Sequence, residues 1–368
     1  MIFFLIESLS QRFPHLNALT YLSSRMIMSL LTSIVISMVL YPPVIRWLRA
    51  IKLGQPIREL GPASHFEKKG TPTMGGLIII LSLLLSALLW SDLTNPHIWT
   101  LVAVTLSFGA VGFTDDFMKI TKRSSDGLPS RAKMAGLLFA SAAIMIWHAR
   151  VQGTYGHGRD VLSFGSVAVP FLKSMTLELS GWIYLPFALL VMVGTSNAVN
   201  LTDGLDGLVI GPVLTCSAAF IILSYVTGNA VIAKYLYYHT VPGSGELTVF
   251  LAAVIGSSIG FLWYNTWPAQ VFMGDSGSLP LGGILGAISI ITGHEILLIV
   301  MGGVFVVEAI SVILQVGYFK ATKRRIFRMA PIHHHYEKLG WPEQKITIRA
   351  WIISLMLALV SILTLKLR

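Results

Sequence analysis

The stretch TLVAVTLSFGAVGFTDDFMK, residues 100–119, decides the fold of this protein. Its apolar part is long enough, at about 1.5 Å per residue, to cross about 30 Å of hydrocarbon as an α-helix. Similar blocks recur along the 368-residue chain, of which 54% is hydrophobic and only 12% is charged. Soluble domains carry about 25% charged residues, so the composition predicts an all-α, polytopic integral membrane protein.

The apolar blocks predict ten transmembrane helices in a single integral membrane domain, residues 1–368. The predicted spans lie near residues 23–45, 74–92, 97–115, 132–149, 181–200, 207–227, 247–264, 278–293, 295–318 and 347–366. The loops predicted on one face cover about 48–72, 115–133, 200–207, 264–278 and 319–347. Only Gly293, His294 and Glu295 separate the eighth span from the ninth, and the count falls if one of these is re-entrant.

The basic residues orient the chain in the membrane. Eighteen of the 27 Lys and Arg residues lie in or beside three of these loops, against eight on the opposite face with both termini included. The positive-inside rule therefore predicts that these loops are cytoplasmic and that both termini are outside. Because the net charge of +10 is explained as an orientation signal, no nucleic-acid partner is expected.

Two adjacent aspartates, Asp115 and Asp116, end the opening stretch. An ionised carboxylate costs about 2.5 to 3.5 kcal/mol at the centre of a membrane helix, so these side chains must face water, a cation or a metal. A span end solvated at the interface explains one aspartate, but two neighbouring carboxylates repel each other. Lys119, one helical turn further on, is one candidate cation, and Mg²⁺ is another.

A second polar segment, TSNAVNLTDGLDGL, covers residues 195–208. Asn197, Asn200, Asp203 and Asp206 recur every three residues, so on a helix they form one slanted polar stripe. Asp-Gly pairs are common in turns, which is the simpler explanation of the two aspartates. That explanation leaves the two asparagines within an apolar run unaccounted for.

A third segment, WYNTWPAQVFMGDSGS, covers residues 263–278. Asp275 lies between two glycines, which allow the backbone to approach a phosphate or a metal closely. Asn265 offers hydrogen-bonding groups, and Phe272 offers an aromatic face on which a base can stack. An ordinary tight turn is the alternative.

The most basic loop contains the segment RMAPIHHHYEKLGWPEQK, residues 328–345. Consecutive side chains point in different directions, so the three histidines rarely bind one metal ion together. With Arg328 and Lys338 nearby, they favour recognition of a phosphate or sugar phosphate; a metal site or no specific role are the alternatives. The segment HFEKKGTPTMGG, residues 65–76, lacks the P-loop pattern and is a weak signal by itself.

All of these polar clusters fall on the predicted cytoplasmic face. Carboxylates close to lysines suit a phosphate-plus-Mg²⁺ site, because the metal bridges carboxylate and diphosphate while the cations offset negative charge. The combination favours phosphoryl transfer. An ion-coupled secondary transporter is the rival, but it predicts acids near the bilayer midplane and inverted repeats, and the sequence has neither. A structural scaffold would not need five polar clusters on one face.

Four segments, GFTDDFMK, NAVNLTDGLDGL, NTWPAQVFMGDSGS and PIHHHYE, together resemble the polyprenyl-phosphate N-acetylhexosamine-1-phosphate transferase superfamily over nearly the whole chain. The histidine triplet resembles the branch that uses UDP-N-acetylmuramoyl-pentapeptide. The resemblance implies a multi-pass enzyme of the bacterial cytoplasmic (inner) membrane that transfers phospho-N-acetylmuramoyl-pentapeptide to undecaprenyl phosphate. The implied products are lipid I and UMP, in the first membrane step of peptidoglycan synthesis. A relative that uses another UDP-N-acetylhexosamine is the alternative.

The resemblance also implies a Mg²⁺ cofactor, contact with membrane lipid, a homodimer and roles for single residues. Asp275, helped by Asp115 or Asp116, is expected to bind Mg²⁺, and Asp115 or Asp116 to activate the lipid phosphate or attack directly. The residues expected to bind substrate are Lys69, Thr73, Lys119, Arg131, Lys133, Asn197, Asn200, Asp203, Asp206, Asn265, Phe272, Gln315, His333, His334 and His335. A one-step route and a covalent two-step route both stay open, because a phosphate monoester is mostly a dianion at neutral pH and hardly needs a base.

Overall fold

A computed structural model describes residues 1–50, 70–122, 127–154, 161–172 and 175–367. Within these ranges the chain is almost entirely helical, which confirms the prediction of an all-α membrane protein. The α-helices are α1 (Ile2–Ser10), α2 (Leu22–Ala50), α3 (Gly76–Trp90), α4 (Pro96–Thr121), α5 (Ser130–Thr154), α6 (Gly181–Thr202), α7 (Ile210–Gly228), α8 (Ala230–Tyr235), α9 (Leu247–Asn265), α10 (Asp275–Thr292), α11 (Glu295–Met301), α12 (Gly303–Thr322), α13 (Ile332–Lys338) and α14 (Glu343–Leu367). Two short strands, β1 (Ser166–Ala168) and β2 (Thr176–Glu178), pair antiparallel.

Every predicted span coincides with helix. In the described part of the chain, eight helices are long and apolar enough to cross a membrane: α2, α4, α5, α6, α7, α9, α12 and α14. Of the other two candidates, α3 has only 15 residues and α10 is rich in glycine and serine. The ninth predicted span is two helices, since α11 ends at Met301 and α12 begins at Gly303. The total of ten spans stays a prediction.

Helix α10 lies at the centre of the bundle. Every residue from Ser276 to Thr292 is buried, and the helix packs against α3, α4, α6 and α7. Small side chains allow helices in a membrane to approach closely, which explains why this helix carries so many glycines. Its first residue, Asp275, is therefore placed inside the bundle, beside the ends of α4 and α6.

At the opposite end of the bundle, near the start of α4, a partly buried ion pair joins three segments. Arg25 of α2 contacts Glu246 through both guanidinium nitrogens, with Nη1 to Oε2 at 2.7 Å and Nη2 to Oε1 at 2.6 Å. Arg25 also donates to the Trp90 carbonyl at 3.3 Å, and the Asp92 N–H donates to Glu246 at 3.0 Å. The pair thus links α2, the end of α3 and the turn before α9.

Candidate active site

Three carboxylates converge where α4 ends and α10 begins. Asp115 and Asp116 lie in the last turns of α4, and Asp275 is the first residue of α10. Oxygen atoms of the three side chains lie within 4.8 Å of one another. Asp115 and Asp116 are buried, whereas Asp275 is partly accessible. The three form the candidate metal-binding cluster among the residues that the structure describes.

Two lysines contact this acidic cluster. Lys119 Nζ lies 2.5 Å from Asp115 Oδ2, 3.6 Å from Asp116 Oδ1 and 3.3 Å from Asp275 Oδ2. Lys133 of α5 also contacts Asp275 Oδ2. Three carboxylates thus share two ammonium groups. The donor set consists of carboxylate oxygens, one of them partly accessible, which fits Mg²⁺ because that ion binds one or two carboxylates and keeps room for phosphate and water.

Asp116 accepts hydrogen bonds from the first backbone N–H groups of α10. Its Oδ1 accepts a hydrogen bond from the Asp275 N–H at 3.2 Å, and its Oδ2 accepts from the Ser276 N–H at 2.9 Å. The first N–H groups of a helix lack partners within the helix and attract negative charge. Gly274 precedes them with a φ of +74°, and a Cβ there would lie 2.4 Å from Asp116 Oδ2, so the position requires glycine.

The two adjacent aspartates therefore differ in their surroundings. Both oxygens of Asp116 accept from backbone amides of α10. Asp115 uses Oδ1 to accept from the Leu128 N–H at 2.9 Å, while its Oδ2 faces Lys119. Asp116 is therefore hydrogen-bonded to two backbone amides of α10, whereas Oδ2 of Asp115 lies next to Lys119.

The polar stripe of α6 reaches the acidic cluster through Asn200. Its Nδ2 donates to Asp275 Oδ1 at 2.8 Å and to Ser278 Oγ at 2.9 Å. Asn197, one turn earlier, donates within its own helix to the Val193 carbonyl at 2.8 Å. Both asparagines thus lie on α6 as the spacing predicted. Of the two, Asn200 hydrogen-bonds to the acidic cluster, whereas Asn197 bonds within its own helix.

Asp203 follows the last residue of α6 and lies close to the other carboxylates. Partial burial, followed by the charges of Asp275, Asp116 and Asp206, raises the pKa of Asp203 to about 8. A pKa that is raised by burial and then by nearby carboxylates indicates that negative charge is concentrated at this end of the bundle. A divalent cation at the three carboxylates would offset that negative charge.

Asp206 and Asn265 connect the loop after α6 to the segment after α9. Asp206 Oδ2 accepts from the Ala269 N–H at 2.9 Å, and Asn265 Oδ1 accepts from the Gly207 N–H at 3.0 Å. The Asp206 N–H donates to Glu343 of α14 at 2.7 Å. Both side chains therefore stabilise the loops beside the acidic cluster. Their contact with a substrate stays a prediction.

The segment before α3 lies beside the same wall. The Gly75 N–H donates to the Phe272 carbonyl at 2.8 Å, and the Phe272 N–H donates to the Pro72 carbonyl at 2.8 Å. Thr73 is buried next to Gly274, since a Cβ on that glycine would lie 3.1 Å from Thr73 Oγ1. Lys69 falls outside the described residues.

The three histidines of the triplet face different partners. His333 Nδ1 lies 3.0 Å from Glu308 of α12, and His334 Nδ1 lies 2.6 Å from Glu337. His335 Nδ1 accepts from the Arg328 N–H at 3.1 Å. Side chains in this arrangement do not converge on one ion.

Two further predicted residues have distinct environments. Gln315 Oε1 accepts from the Ile326 N–H at 3.1 Å and the Phe327 N–H at 2.9 Å, so it shapes the loop that leads to the histidines. Arg131 is exposed, whereas Lys133, two residues later, contacts Asp275.

Sequence reasoning did not identify Glu308, although an acid within an apolar run is by itself a functional candidate.

Comparisons with known proteins identify the family of this chain. A family model described as glycosyl transferase family 4 matches residues 98–293, and a phospho-N-acetylmuramoyl-pentapeptide-transferase signature matches residues 68–80. A relative from Thermodesulfovibrio yellowstonii, named phospho-N-acetylmuramoyl-pentapeptide-transferase, is 50% identical over 370 aligned residues that cover 100% of both chains. These matches confirm the resemblance that the motifs indicated.

Proposed function

The chain belongs to glycosyl transferase family 4, in its phospho-N-acetylmuramoyl-pentapeptide transferase branch, and we propose that it transfers phospho-N-acetylmuramoyl-pentapeptide from UDP-N-acetylmuramoyl-pentapeptide to undecaprenyl phosphate. The products are lipid I and UMP, and the reaction begins the membrane steps of peptidoglycan synthesis. The observation that carries the proposal is the cluster of Asp115, Asp116 and Asp275 with Lys119 and Lys133, in a chain that matches its relative from end to end.

In the proposed reaction, an oxygen of the lipid phosphate attacks the β-phosphorus of the nucleotide sugar. A new P–O bond forms, the bond from that phosphorus to the bridging oxygen breaks, and UMP leaves with the electron pair. The lipid phosphate needs no deprotonation, because it is mostly a dianion at neutral pH. Lys119 and Lys133 lie where their charges would offset the phosphate groups.

The contacts support a division of labour among the carboxylates. Asp116 accepts from two amides of α10, so its role is to position Asp275, and this engagement argues against Asp116 as a nucleophile. Asp275 and Asp115 would hold Mg²⁺. When bound, the ion would supply positive charge to offset the negative charge of the diphosphate. Asn200 orients Asp275 through its 2.8 Å hydrogen bond.

The membrane setting is also part of the proposal. The excess of Lys and Arg in three loops supports a cytoplasmic catalytic face with both termini outside. Exposed apolar side chains along α12 and α14 support contact with membrane lipid, as expected of an enzyme in the bacterial inner membrane with a lipid substrate. A homodimer is proposed from the family resemblance.

The test uses the full chain purified in detergent, with UDP-N-acetylmuramoyl-pentapeptide, undecaprenyl phosphate and Mg²⁺. Released UMP is measured, and UDP-N-acetylglucosamine in place of the first donor tests the alternative substrate. We expect UMP from the first donor only. Absence of UMP from the wild type, or preference for UDP-N-acetylglucosamine, would overturn the proposed function.

A further inference from the structure

Glu308 is a buried acid within an apolar membrane helix. It lies in α12, in the run VFVVEAISV, and most of the α12 side chains face outward. The buried residues of this helix are Val304, Phe305, Glu308 and Ser311. An ionisable side chain in such a segment is costly, so it is expected to have a partner and a function.

The partner of Glu308 is His333. Glu308 Oε2 lies 3.0 Å from His333 Nδ1 and accepts from the His333 N–H at 3.4 Å. Both side chains are buried, with relative exposures of 5% and 2%. A carboxylate on one ring nitrogen of a histidine fixes the orientation of the ring and keeps the proton on that nitrogen. In the neutral ring the other nitrogen, Nε2, is then a hydrogen-bond acceptor.

That second nitrogen faces the wall of the candidate active site. His333 Nε2 is buried and has no hydrogen-bond partner among the residues that the structure describes. It lies against Gly204, where an added Cβ would be 2.2 Å away. Gly204 follows Asp203 at the end of α6, one turn beyond Asn200, which contacts Asp275. A buried polar atom without a partner costs about 1 to 3 kcal/mol, so a ligand that supplies a donor would be stabilised there.

We propose that Glu308 is a positioning residue for the transfer reaction, which fixes His333 so that its Nε2 accepts a hydrogen bond from a hydroxyl or amide N–H of the nucleotide sugar. This inference rests on the proposed function. Glu308 itself does not contact the substrate; it acts through the imidazole. A pair that only fastened α13 to α12 would affect stability and both substrates alike.

The test compares Glu308→Ala, Glu308→Gln, His333→Ala and the double variant Glu308→Ala with His333→Ala. UMP release is measured while each substrate is varied separately. We expect Glu308→Ala to lower kcat/KM for the nucleotide sugar by about 10- to 100-fold, with KM for undecaprenyl phosphate unchanged. Glu308→Gln keeps an acceptor oxygen at the same place and should lose less. In the His333→Ala background, Glu308→Ala should add less than about a two-fold loss, since the two residues act as one unit.

Ser311→Ala is the matched control. Ser311 is buried on the same face of α12, and its hydroxyl donates to the Glu308 carbonyl at 2.6 Å without touching the carboxylate. Its kinetics should match the wild type. Equal losses for both substrates, or independent effects that multiply in the double variant, would overturn the inference. Because the wild type is assayed in parallel, its own release of UMP separates this outcome from a failure of the proposed function.

Discussion

The two ends of the helix bundle hold buried charge in opposite ways. At the end of α4, Asp115, Asp116 and Asp275 bring their oxygens within 4.8 Å of one another. Near the start of α4, Arg25 and Glu246 form a one-to-one pair with two short hydrogen bonds. Like charges held together lower stability, whereas a matched pair satisfies both partners. This difference is what we expect if the acidic end serves the proposed reaction and the matched pair serves the fold.

If the acidic cluster is catalytic, Asp275→Asn should separate activity from stability. We expect UMP release to fall at least about 10³-fold, or about 4 kcal/mol of transition-state stabilisation. The unfolding temperature in detergent should change little, because the relief of repulsion from Asp115 and Asp116 is offset by the loss of the charged contacts with Lys119 and Lys133. Asp92→Asn, at the opposite end of the bundle, serves as the control for loss of one acid. If Asp275→Asn kept activity within about ten-fold of the wild type, the acidic end would not be the catalytic one.

If the pair at the other end is structural, Arg25→Ala should give the reverse result. It leaves the partly buried Glu246 without its cation, which should lower the free energy of unfolding by about 3 kcal/mol. The folded fraction should keep normal UMP release per molecule. Chemical denaturation in detergent and the UMP assay measure the two quantities. A large loss of specific activity in well-folded protein would remove the distinction between the ends.

Metal binding should act at one end only. Mg²⁺ at about 100 times its Kd should stabilise the wild type by about 2.7 kcal/mol, because it binds the folded state. Asp275→Asn should lose this rise in unfolding temperature, while Arg25→Ala should keep it from a lower starting point. Thermal unfolding with and without Mg²⁺ measures the shift. An unchanged shift in Asp275→Asn would place the ion elsewhere.

The smallest effect concerns two neighbouring cations. Lys133→Ala removes a contact with Asp275 and should lower kcat/KM by about 10- to 100-fold, as expected for a hydrogen bond between charged groups. Arg131→Ala removes an exposed side chain and should change kcat/KM by less than about two-fold. Steady-state UMP release compares them. Reversed sizes would assign the phosphate contact to Arg131.

Much of the fold was predictable because hydropathy reports contact with lipid. All ten predicted apolar blocks coincide with helix. Hydropathy does not report where a helix ends, however. The predicted third span stops at Asp115, while α4 continues to Thr121 because its polar side chains find partners within α4, in the segment before α5 and in α10. The break at Gly302 was also missed, since the apolar character continues through it.

For the site, residue types and face were predictable, but partners were not. The spacing of Asp115, Asp116 and Lys119 is local, so the contact with Lys119 follows from helix geometry. The hydrogen bonds of Asp116 to α10 join residues about 160 positions apart, and no local pattern indicates them. The pairing of Glu308 with His333 is likewise non-local, although the cost of an acid in a membrane helix was a usable signal.

The enclosed position of α10 has a consequence for how the protein is made. A helix with four glycines and three serines enters lipid less readily than its neighbours, yet it carries Asp275 at its start. Four of the helices that pack against it, α3, α4, α6 and α7, precede it in the sequence. They have left the ribosome before α10 is synthesised. Asp275 therefore joins helices that are already translated, so we expect the candidate active site to be completed late, when α10 packs among them.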